Sequence, residues 1–157
     1  MTDPSFGAPP PGVAAGEGPS GPRASFGLRL VAAIIDGVLV GVVGSIIRAI
    51  LGLDLAGSQA IQLVLGLAYY GYLEGSPSGQ TVGKKVMNIR VIDFNGGGPI
   101  GPGRALIRFV ARYLSGIACL LGYFWMLWDK EKQTWHDKLS TSVVVPTSAY
   151  PVDAWPG

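Results

Sequence analysis

Cysteine, histidine and charged side chains are all scarce in this chain. The single cysteine, Cys119, excludes an intrachain disulfide, and with the single histidine it provides too few ligands for an ordinary zinc site. Of the 157 residues, 14% are charged and 48% are apolar, and the net charge is +2. A chain of single-domain length with this balance is typical of a membrane protein, and nothing in it indicates a nucleic-acid partner. Because Cys119 lies inside an apolar run, it is best explained as a small buried side chain.

Bulky apolar residues are also scarce at the N-terminus. Residues 1–24 include six prolines and five glycines, and such a composition cannot bury enough surface to offset its ordering entropy. We therefore predict a disordered tail over residues 1–24, a membrane domain over 25–146 and a C-terminal tail over 147–157. The first apolar run starts late and exceeds the length of a signal peptide, so we expect it to remain as an anchor.

The longest apolar run extends from Phe26 to Leu53 and predicts a membrane-spanning helix. At 1.5 Å per residue, Arg29 and Arg48 are about 28 Å apart along this helix, close to the roughly 30 Å thickness of the hydrocarbon layer. Asp36 lies roughly 10 Å deeper than Arg29 on nearly the same face, where an ionised carboxylate costs several kcal/mol unless it is paired or protonated. This carboxylate therefore requires a partner.

Small side chains recur every four residues along the same helix, at Ala33, Gly37, Gly41 and Ser45. Such a stripe allows another backbone to approach closely within lipid, so it predicts a helix-packing face. The alternative is a chance GxxxG pattern in a glycine-rich helix. Since Asp36 flanks the stripe, we expect it to face protein rather than lipid.

A second apolar segment covers about residues 56–73 and predicts a second crossing. It ends in Tyr69, Tyr70 and Tyr72, and tyrosine is enriched where hydrocarbon meets headgroups. Gln62 is one of its few polar members. The predicted fold is therefore an all-α membrane protein with two clear transmembrane helices and, as described below, a third hydrophobic segment.

The polar loop that follows contains a short β-like run over residues 86–94, closed by an Asn95-Gly96 turn signal. Its GQTVGKK segment, residues 79–85, differs from a nucleotide-binding loop in the spacing of its glycines and in the lysine that stands where a magnesium-binding Ser or Thr is required. The six lysines and arginines between residues 74 and 112 favour a cytoplasmic location for this loop and for the N-terminus.

The third hydrophobic segment extends from Arg104 to Trp128. Arg104, Arg108 and Arg112 form one cationic face on a helix, suited either to lipid phosphates or to a buried acid such as Asp36. Two paths through the membrane stay open. A single span agrees with hydropathy, whereas a re-entrant hairpin bent at a glycine agrees with the positive charges that follow the segment.

Three segments in this order resemble the RDD family of small bacterial membrane proteins: RLVAAIID at 29–36, SGQTVGKKVMNIRVID at 78–93 and WHDKLSTSVVV at 135–145. The resemblance runs from about Phe26 to Val145. It maps the family's arginine onto Arg29 and its two aspartates onto Asp36 and Asp137. Beside Asp137 stands His136, and from the residues alone this pair is a loop pair, a helix cap or a partner for an arginine.

The second RDD motif is matched at Gly79, Gly83 and Lys84, whereas Ser140-Thr141 departs from the usual small residue followed by Gly-Thr. The resemblance implies a multi-pass protein of the bacterial plasma membrane. The family is mostly without an assigned activity, although some members are described as sodium or lithium/proton antiporters and others occur as membrane modules beside larger domains.

Two functions follow from these observations, and we favour the first. It is a non-catalytic membrane module with a buried charge network, assembling with itself or with a membrane-protein partner and contacting anionic lipid headgroups. The alternative is a Na⁺ or Li⁺/H⁺ antiporter in which Asp36 is the exchanging carboxylate. The positions expected to form the network or ion site are Arg29, Asp36, Gln62, Arg104, Arg108, Arg112 and Asp137. No nucleophile with its base, metal cluster or cofactor cradle is evident, so we predict neither an enzyme nor a cofactor.

Overall fold

The computed structural model describes residues 22–95, 97–117 and 121–150. Cys119, Gly96 of the predicted turn, and most of both predicted tails lie outside these residues. Within them, the chain forms α1 (Phe26–Leu51), α2 (Leu55–Gly75), α3 (Val82–Val86), β1 (Ile89–Asp93), α4 (Gly101–Ile117), α5 (Leu121–Phe124), a 3-10 turn (Trp125–Leu127), α6 (Trp135–Leu139) and β2 (Ser142–Pro146).

A tight connection joins α1 and α2 into an antiparallel hairpin. The Ser25 hydroxyl accepts a hydrogen bond from the Leu28 N–H at the start of α1, and Gly52, with φ of 62°, ends the helix in the left-handed conformation that glycine adopts most readily. Asp54 then caps α2 by accepting from the Gly57 N–H at 2.8 Å. Because three residues separate the helices, they pack side by side.

The outward face of α1 is apolar. Its exposed large side chains include Leu30, Ile34, Val38, Val42, Ile46 and Ile50. Among the helices of the described residues, α1 alone is long and apolar enough to cross a membrane unaided. The prediction of two clear spans is therefore supported for α1 only, since the glycine, glutamine and tyrosine residues of α2 lower its hydropathy.

A polar cap covers the end of the hairpin at which α1 begins. It consists of residues 76–95, 97–100 and 129–150, and at its centre β1 and β2 form an antiparallel ladder in which Ile89 lies opposite Pro146 and Asp93 opposite Ser142. Val91 and Val144 of this ladder are buried in one cluster with Ala32 of α1. The fold is mostly helical, but the prediction that it is all-α is wrong for β1 and β2. These strands are far apart in the sequence, so no local pattern predicts that they pair.

Helix α4 packs closely on α2. A side chain added at Gly66 or Gly71 would meet the Phe109 ring or Leu106, so these glycines let the two helices approach. The helical stretches 101–116 and 121–127 are bent by 114° relative to each other, and as a pair they are apolar enough for a broken span or a re-entrant segment.

Both ends of the third hydrophobic segment meet in the polar cap. The segment starts after β1 and is followed by α6 and β2, and β1 pairs with β2. The Arg104 side chain, near its start, donates to the Ser140 carbonyl at 2.7 Å. The chain thus returns to the end of the helical hairpin from which it departed.

The described residues next to the two predicted tails also pack against the cap. Arg23 forms an ion pair with Glu131 at 2.8 Å, and the Ala24 N–H donates to the Val144 carbonyl at 2.9 Å. At the other end, Tyr150 is buried in a second cluster with Ile92. Ordered packing therefore extends a few residues beyond the predicted limits of the central domain.

Candidate functional site

Asp36 is fully buried and binds three donors of the neighbouring segments. Its Oδ1 accepts from the Tyr69 hydroxyl and from the Gly83 N–H, each at 2.7 Å, and its Oδ2 accepts from the Thr81 hydroxyl at 2.6 Å. Both carboxyl oxygens therefore have hydrogen-bond partners inside the protein, as a buried polar group requires. Asp36 thus ties the middle of α1 to α2 and to α3.

The glycines of the GQTVGKK segment explain how α3 comes so close to α1. A Cβ at Gly83 would lie 2.2 Å from the Ala32 carbonyl oxygen, and one at Gly79 would lie 2.1 Å from the Val91 carbonyl oxygen. Gly79 also has φ of 62°. Both positions therefore require glycine, and Thr81 between them is the N-cap of α3.

Arg29 holds the C-terminal part of the cap. Its guanidinium forms a short ion pair with Asp137 and donates to the Lys132 carbonyl at 3.0 Å. Asp137 also belongs to a capping box. Its carboxylate accepts from the Thr134 N–H at 3.0 Å, and the Thr134 hydroxyl accepts from the Asp137 N–H. Of the three open interpretations of His136-Asp137, the structure shows two together: a helix cap and an arginine partner.

Arg108 links two carboxylates that are far apart in the sequence. Its Nε donates to Glu74 at 3.0 Å, and its Nη1 forms a short ion pair with Asp137 and donates to the Ser142 hydroxyl at 2.6 Å. The Arg108 residue is 0% exposed, as are both acids. This guanidinium therefore joins α2, α4, α6 and β2 in the interior.

Glu74 binds three cationic side chains of the interior. Besides Arg108, it binds the Lys84 ammonium at 2.6 Å and Arg112 at 2.9 Å. Arg112 also stands over the ring of Tyr70, 4.5 Å from its centroid. The resulting charge network consists of Arg29, Glu74, Lys84, Arg108, Arg112 and Asp137.

The ionisation of the cap residues follows from this arrangement. Burial alone would favour a neutral Asp137, but Arg29 and Arg108 outweigh it and hold the pKa of Asp137 well below its ordinary value. Burial lowers the pKa of His136 well below its ordinary value, and the nearby guanidinium groups lower it further because they oppose another positive charge. His136 is therefore neutral near pH 7. Burial also lowers the pKa of Lys84, although Glu74 acts in the opposite direction.

The sequence-predicted positions fall into two sets. One charge network includes Arg29, Arg108, Arg112 and Asp137. Asp36 lies beside it and forms no ion pair with any residue that the structure describes. The remaining two lie elsewhere: Arg104 pairs with Asp93 at 2.8 Å and binds cap carbonyls, and the Gln62 amide donates to the Gly41 carbonyl at 3.4 Å.

Sequence reasoning missed Glu74 and Lys84 as network members. Glu74 lies at the end of an apolar helix and Lys84 lies in a glycine-containing loop motif, and at such positions charged side chains are usually exposed to solvent. The signal that was available is that Glu74 is the only acid between residues 55 and 92, near several basic residues.

In the small-residue stripe of α1, Gly37 and Gly41 point away from the described helices, whereas Ala33 lines a cavity next to α4. A Cβ at Gly37 or Gly41 would meet nothing within 4 Å, whereas one at Gly44 would lie 2.2 Å from the Gln62 amide. Ala33, Gly37 and Ser45 are exposed. Gly44, which is not part of the stripe, is thus the residue that allows α1 to contact α2.

A cavity of about 280 Å³ lies between α1, α4 and the cap. Its charged lining consists of Arg29, Asp36, Lys84, Arg108 and Arg112, and His136 lies among them. Apolar side chains complete the wall, including Phe26, Leu30, Ile34, Phe124 and Met126. The cavity is therefore cationic on its inner side and apolar on the side of the exposed helix faces.

The chain matches the RDD family over residues 23–141. It belongs to the RDD family. This match confirms the resemblance drawn from the three motifs, and together with the apolar α1 it identifies a membrane protein. Arg29, Asp36 and Asp137 of the RDD pattern are all buried or nearly so in the region just described.

Three relatives of this RDD chain come from two bacterial genera. The proline-rich antigen homologue of Mycobacterium tuberculosis is 39% identical over 95 residues, covering 56% of this chain and 39% of that protein. The proline-rich antigen of Mycobacterium leprae is 39% identical over 77 residues, covering 49% and 30%. The uncharacterized protein YxaI of Bacillus subtilis is 29% identical over 147 residues, covering 78% and 96%. The chain spans less than half the length of either mycobacterial protein, and no solved structure matches it.

Proposed function

We propose that this RDD chain is a non-catalytic membrane module that assembles with a second copy or with a partner helix. The observation that carries the proposal is the saturation of its buried acids. Asp36, Glu74 and Asp137 each bind three or more donors that come from different segments of the chain. Buried polar groups that are fully satisfied in this way fix one arrangement of the elements.

The same arrangement supports a location for the cap. Positive charge is concentrated there and at its boundary, whereas the connection between α1 and α2 carries Asp54, with Arg48 in the last turn of α1. By the positive-inside rule, the N-terminus and the cap are cytoplasmic in the bacterial plasma membrane. Because both ends of the third segment lie in the cap, this segment enters the membrane and returns to the same side.

The stripe on α1 provides the surface for assembly. Ala33, Gly37, Gly41 and Ser45 leave space on a helix whose neighbouring side chains, such as Val38, are apolar and exposed. In lipid, close packing of helices depends on such small side chains, since no hydrophobic driving force brings two helices together. A partner helix placed on this stripe would fill space that no described residue of the chain occupies.

Cation exchange at Asp36 agrees less well with the contacts. The oxygens of Asp36 are already occupied by three hydrogen-bond donors of the protein. The same cavity is lined by Arg29, Lys84, Arg108 and Arg112, whose positive charges repel a cation. Gln62 binds at Gly41, which is about 7.5 Å farther along α1 than Asp36. An oxygen shell around a sodium ion would require these groups to rearrange.

The assembly proposal is tested by replacing Gly37 and Gly41 together with leucine. Both positions are open in the protomer, so the variant folds, while its larger side chains keep a second helix at a distance. Chemical cross-linking in membranes and mass measurement in detergent should show the wild type as an assembly and the variant as a single chain.

Gly27→Leu is the matched control. Gly27 is also open, but it lies in the first turn of α1, about 15 Å along the helix axis from Gly37, so this variant should assemble like the wild type. Assembly of the double variant at wild-type strength would contradict the proposal, and so would a wild type that is a single chain both in membranes and in detergent.

A further inference from the structure

We propose that the cavity between α1, α4 and the cap binds a phosphate group, carried by a membrane amphiphile whose apolar part remains in the bilayer. The proposal does not depend on assembly. It rests on three features of the cavity: an excess of positive charge on the inner wall, a buried imidazole nitrogen without a partner, and an apolar wall on the lipid side.

Charge is unbalanced around the cavity. Four cations line it, Arg29, Lys84, Arg108 and Arg112, but among the residues that the structure describes Asp36 is the only carboxylate in the wall. Glu74 and Asp137, which pair with these cations, lie behind them and do not line the cavity. Three acids against four bases leave one positive charge uncompensated in the interior, and a bound anion would neutralise it. Arginine in particular matches the geometry of phosphate oxygens.

His136 supplies the second feature. It is 2% exposed and lines the cavity, and its Nδ1 has no hydrogen-bond partner in the described part of the chain. Its other ring nitrogen, Nε2, lies 3.9 Å from a carboxylate oxygen of Asp137, which is beyond hydrogen-bond distance. A buried nitrogen without a partner is rare in folded proteins, and a phosphate oxygen or hydroxyl would satisfy it.

The apolar wall indicates what the phosphate is attached to. Leu30 and Ile34 of α1 and Phe124 at the end of α5 line the cavity, and they are 47%, 56% and 39% exposed. These side chains belong to the faces that contact lipid, so an acyl chain can leave the cavity between them. The volume of about 280 Å³ corresponds to about nine water molecules at liquid density, which is enough for a headgroup phosphate with its ester linkage.

Calorimetric titration of the purified protein in a neutral detergent tests the proposal with three probes. Short-chain phosphatidic acid carries both phosphate and acyl chains, inorganic phosphate carries the anion alone, and short-chain phosphatidylcholine carries a phosphate whose charge is cancelled. We expect one equivalent of phosphatidic acid to bind, with phosphatidylcholine at least about tenfold weaker, as is typical when a buried charge loses its partner. Binding of inorganic phosphate with equal affinity would overturn the amphiphile part of the proposal, and binding of neither anion would overturn all of it.

Two pairs of variants place the site. His136→Phe should weaken binding by about tenfold, which is the loss of one hydrogen bond to a charged group, whereas Trp135→Phe on the same helix should not, since Trp135 does not line the cavity. Leu30→Trp should narrow the entrance and weaken binding, whereas Val31→Trp, at an exposed position outside the lining, should leave it unchanged. If His136→Phe fails to fold, Leu30→Trp and Val31→Trp still test the site, because both positions are exposed. Equal affinity in Leu30→Trp and Val31→Trp would rule out this cavity as the site.

Discussion

Arg29 and Asp36 lie seven residues apart on α1, and they bind different segments of the polar cap. Arg29 pairs with Asp137 of α6, whereas Asp36 accepts from Thr81 and Gly83 at the start of α3. The two charges of the first RDD motif therefore do not neutralise each other. Each holds one half of the cap, and α1 is the element to which both halves are attached.

Asp36→Asn should lower the stability of the folded protein by about 3 kcal/mol. The substitution replaces the carboxylate acceptor by a neutral amide, which accepts hydrogen bonds more weakly. In addition, the NH₂ group of the amide faces donors of the protein, so at least one of the three hydrogen bonds is lost. Thermal unfolding in detergent measures the change. Asp54→Asn is the control, because asparagine caps a helix as well as aspartate does, and it should unfold like the wild type. Equal midpoints for Asp36→Asn and Asp54→Asn would show that Asp36 has no anchoring role.

Gly83→Ala should destabilise the chain strongly, by about 3 kcal/mol or more, because the added methyl group would lie 2.2 Å from a backbone oxygen of α1. Gly103→Ala gives the matched comparison. Gly103 is also helical but has nothing within 4 Å, so alanine there should be neutral or stabilise by up to about 1 kcal/mol. Opposite signs in thermal unfolding are the expected result, and equal effects would mean that α3 does not approach α1 so closely.

Asp137→Asn should cost about 3–5 kcal/mol at pH 7, since it leaves Arg29 and Arg108 buried without their partner. The pKa of Asp137 is lowered in the folded state, so its contribution is fully present above its unfolded pKa of about 4 and is lost as the pH falls below that value. In unfolding experiments between pH 7 and pH 3, the gap between wild type and variant should stay constant at first and narrow below about pH 4. A gap that narrows already near pH 6 would contradict this assignment.

The sequence alone predicts the parts of this fold that depend on local pattern. The apolar run of α1, the β-like run that contains β1 and the buried environment of Asp36 each follow from neighbouring residues or from a single helix face. Chain membership in the RDD family also follows from short motifs. The sequence leaves the path of the third segment open, because hydropathy favours a crossing while the positive charges that follow favour a return. In the structure, the ladder between β1 and β2 brings the chain back to the cap.

Long-range pairing accounts for what the sequence does not predict. Glu74 and Arg108 are 34 residues apart, and no spacing rule connects them. Arg104 belongs to the same four-residue pattern as Arg108 and Arg112, yet it lies one turn closer to the cap surface and binds backbone carbonyls of residues 140 and 141. A regular pattern identifies a helix face, but the partners of that face are determined by tertiary packing.

His136 makes the stability of the protein depend on pH between 5 and 6.5. Its pKa is depressed in the folded state, so below its unfolded pKa of about 6.5 the unfolded chain takes up a proton that the folded chain does not. As the pH is lowered through this range, the free energy of unfolding should decrease by up to about 1.4 kcal/mol per pH unit. As His136 is the single histidine of the chain, His136→Phe should abolish the slope, as measured by denaturant unfolding at several pH values. A slope that persists in the variant would assign the proton uptake to another group.

Cysteine labelling should place both ends of the third segment on one side of the membrane. In a Cys119→Ser background, single cysteines at the exposed positions Gly103, Lys130 and Ser148 should react with an impermeant maleimide only after the cytoplasmic side is opened, because all three lie at or next to the polar cap. Ala56→Cys, at the start of α2 and at the far end of α1, should react in intact cells. If Lys130→Cys reacts from outside while Gly103→Cys does not, the segment crosses once, which would require β1 and β2 to separate. Since their ladder is buried, a re-entrant path is the one that keeps these backbone groups paired.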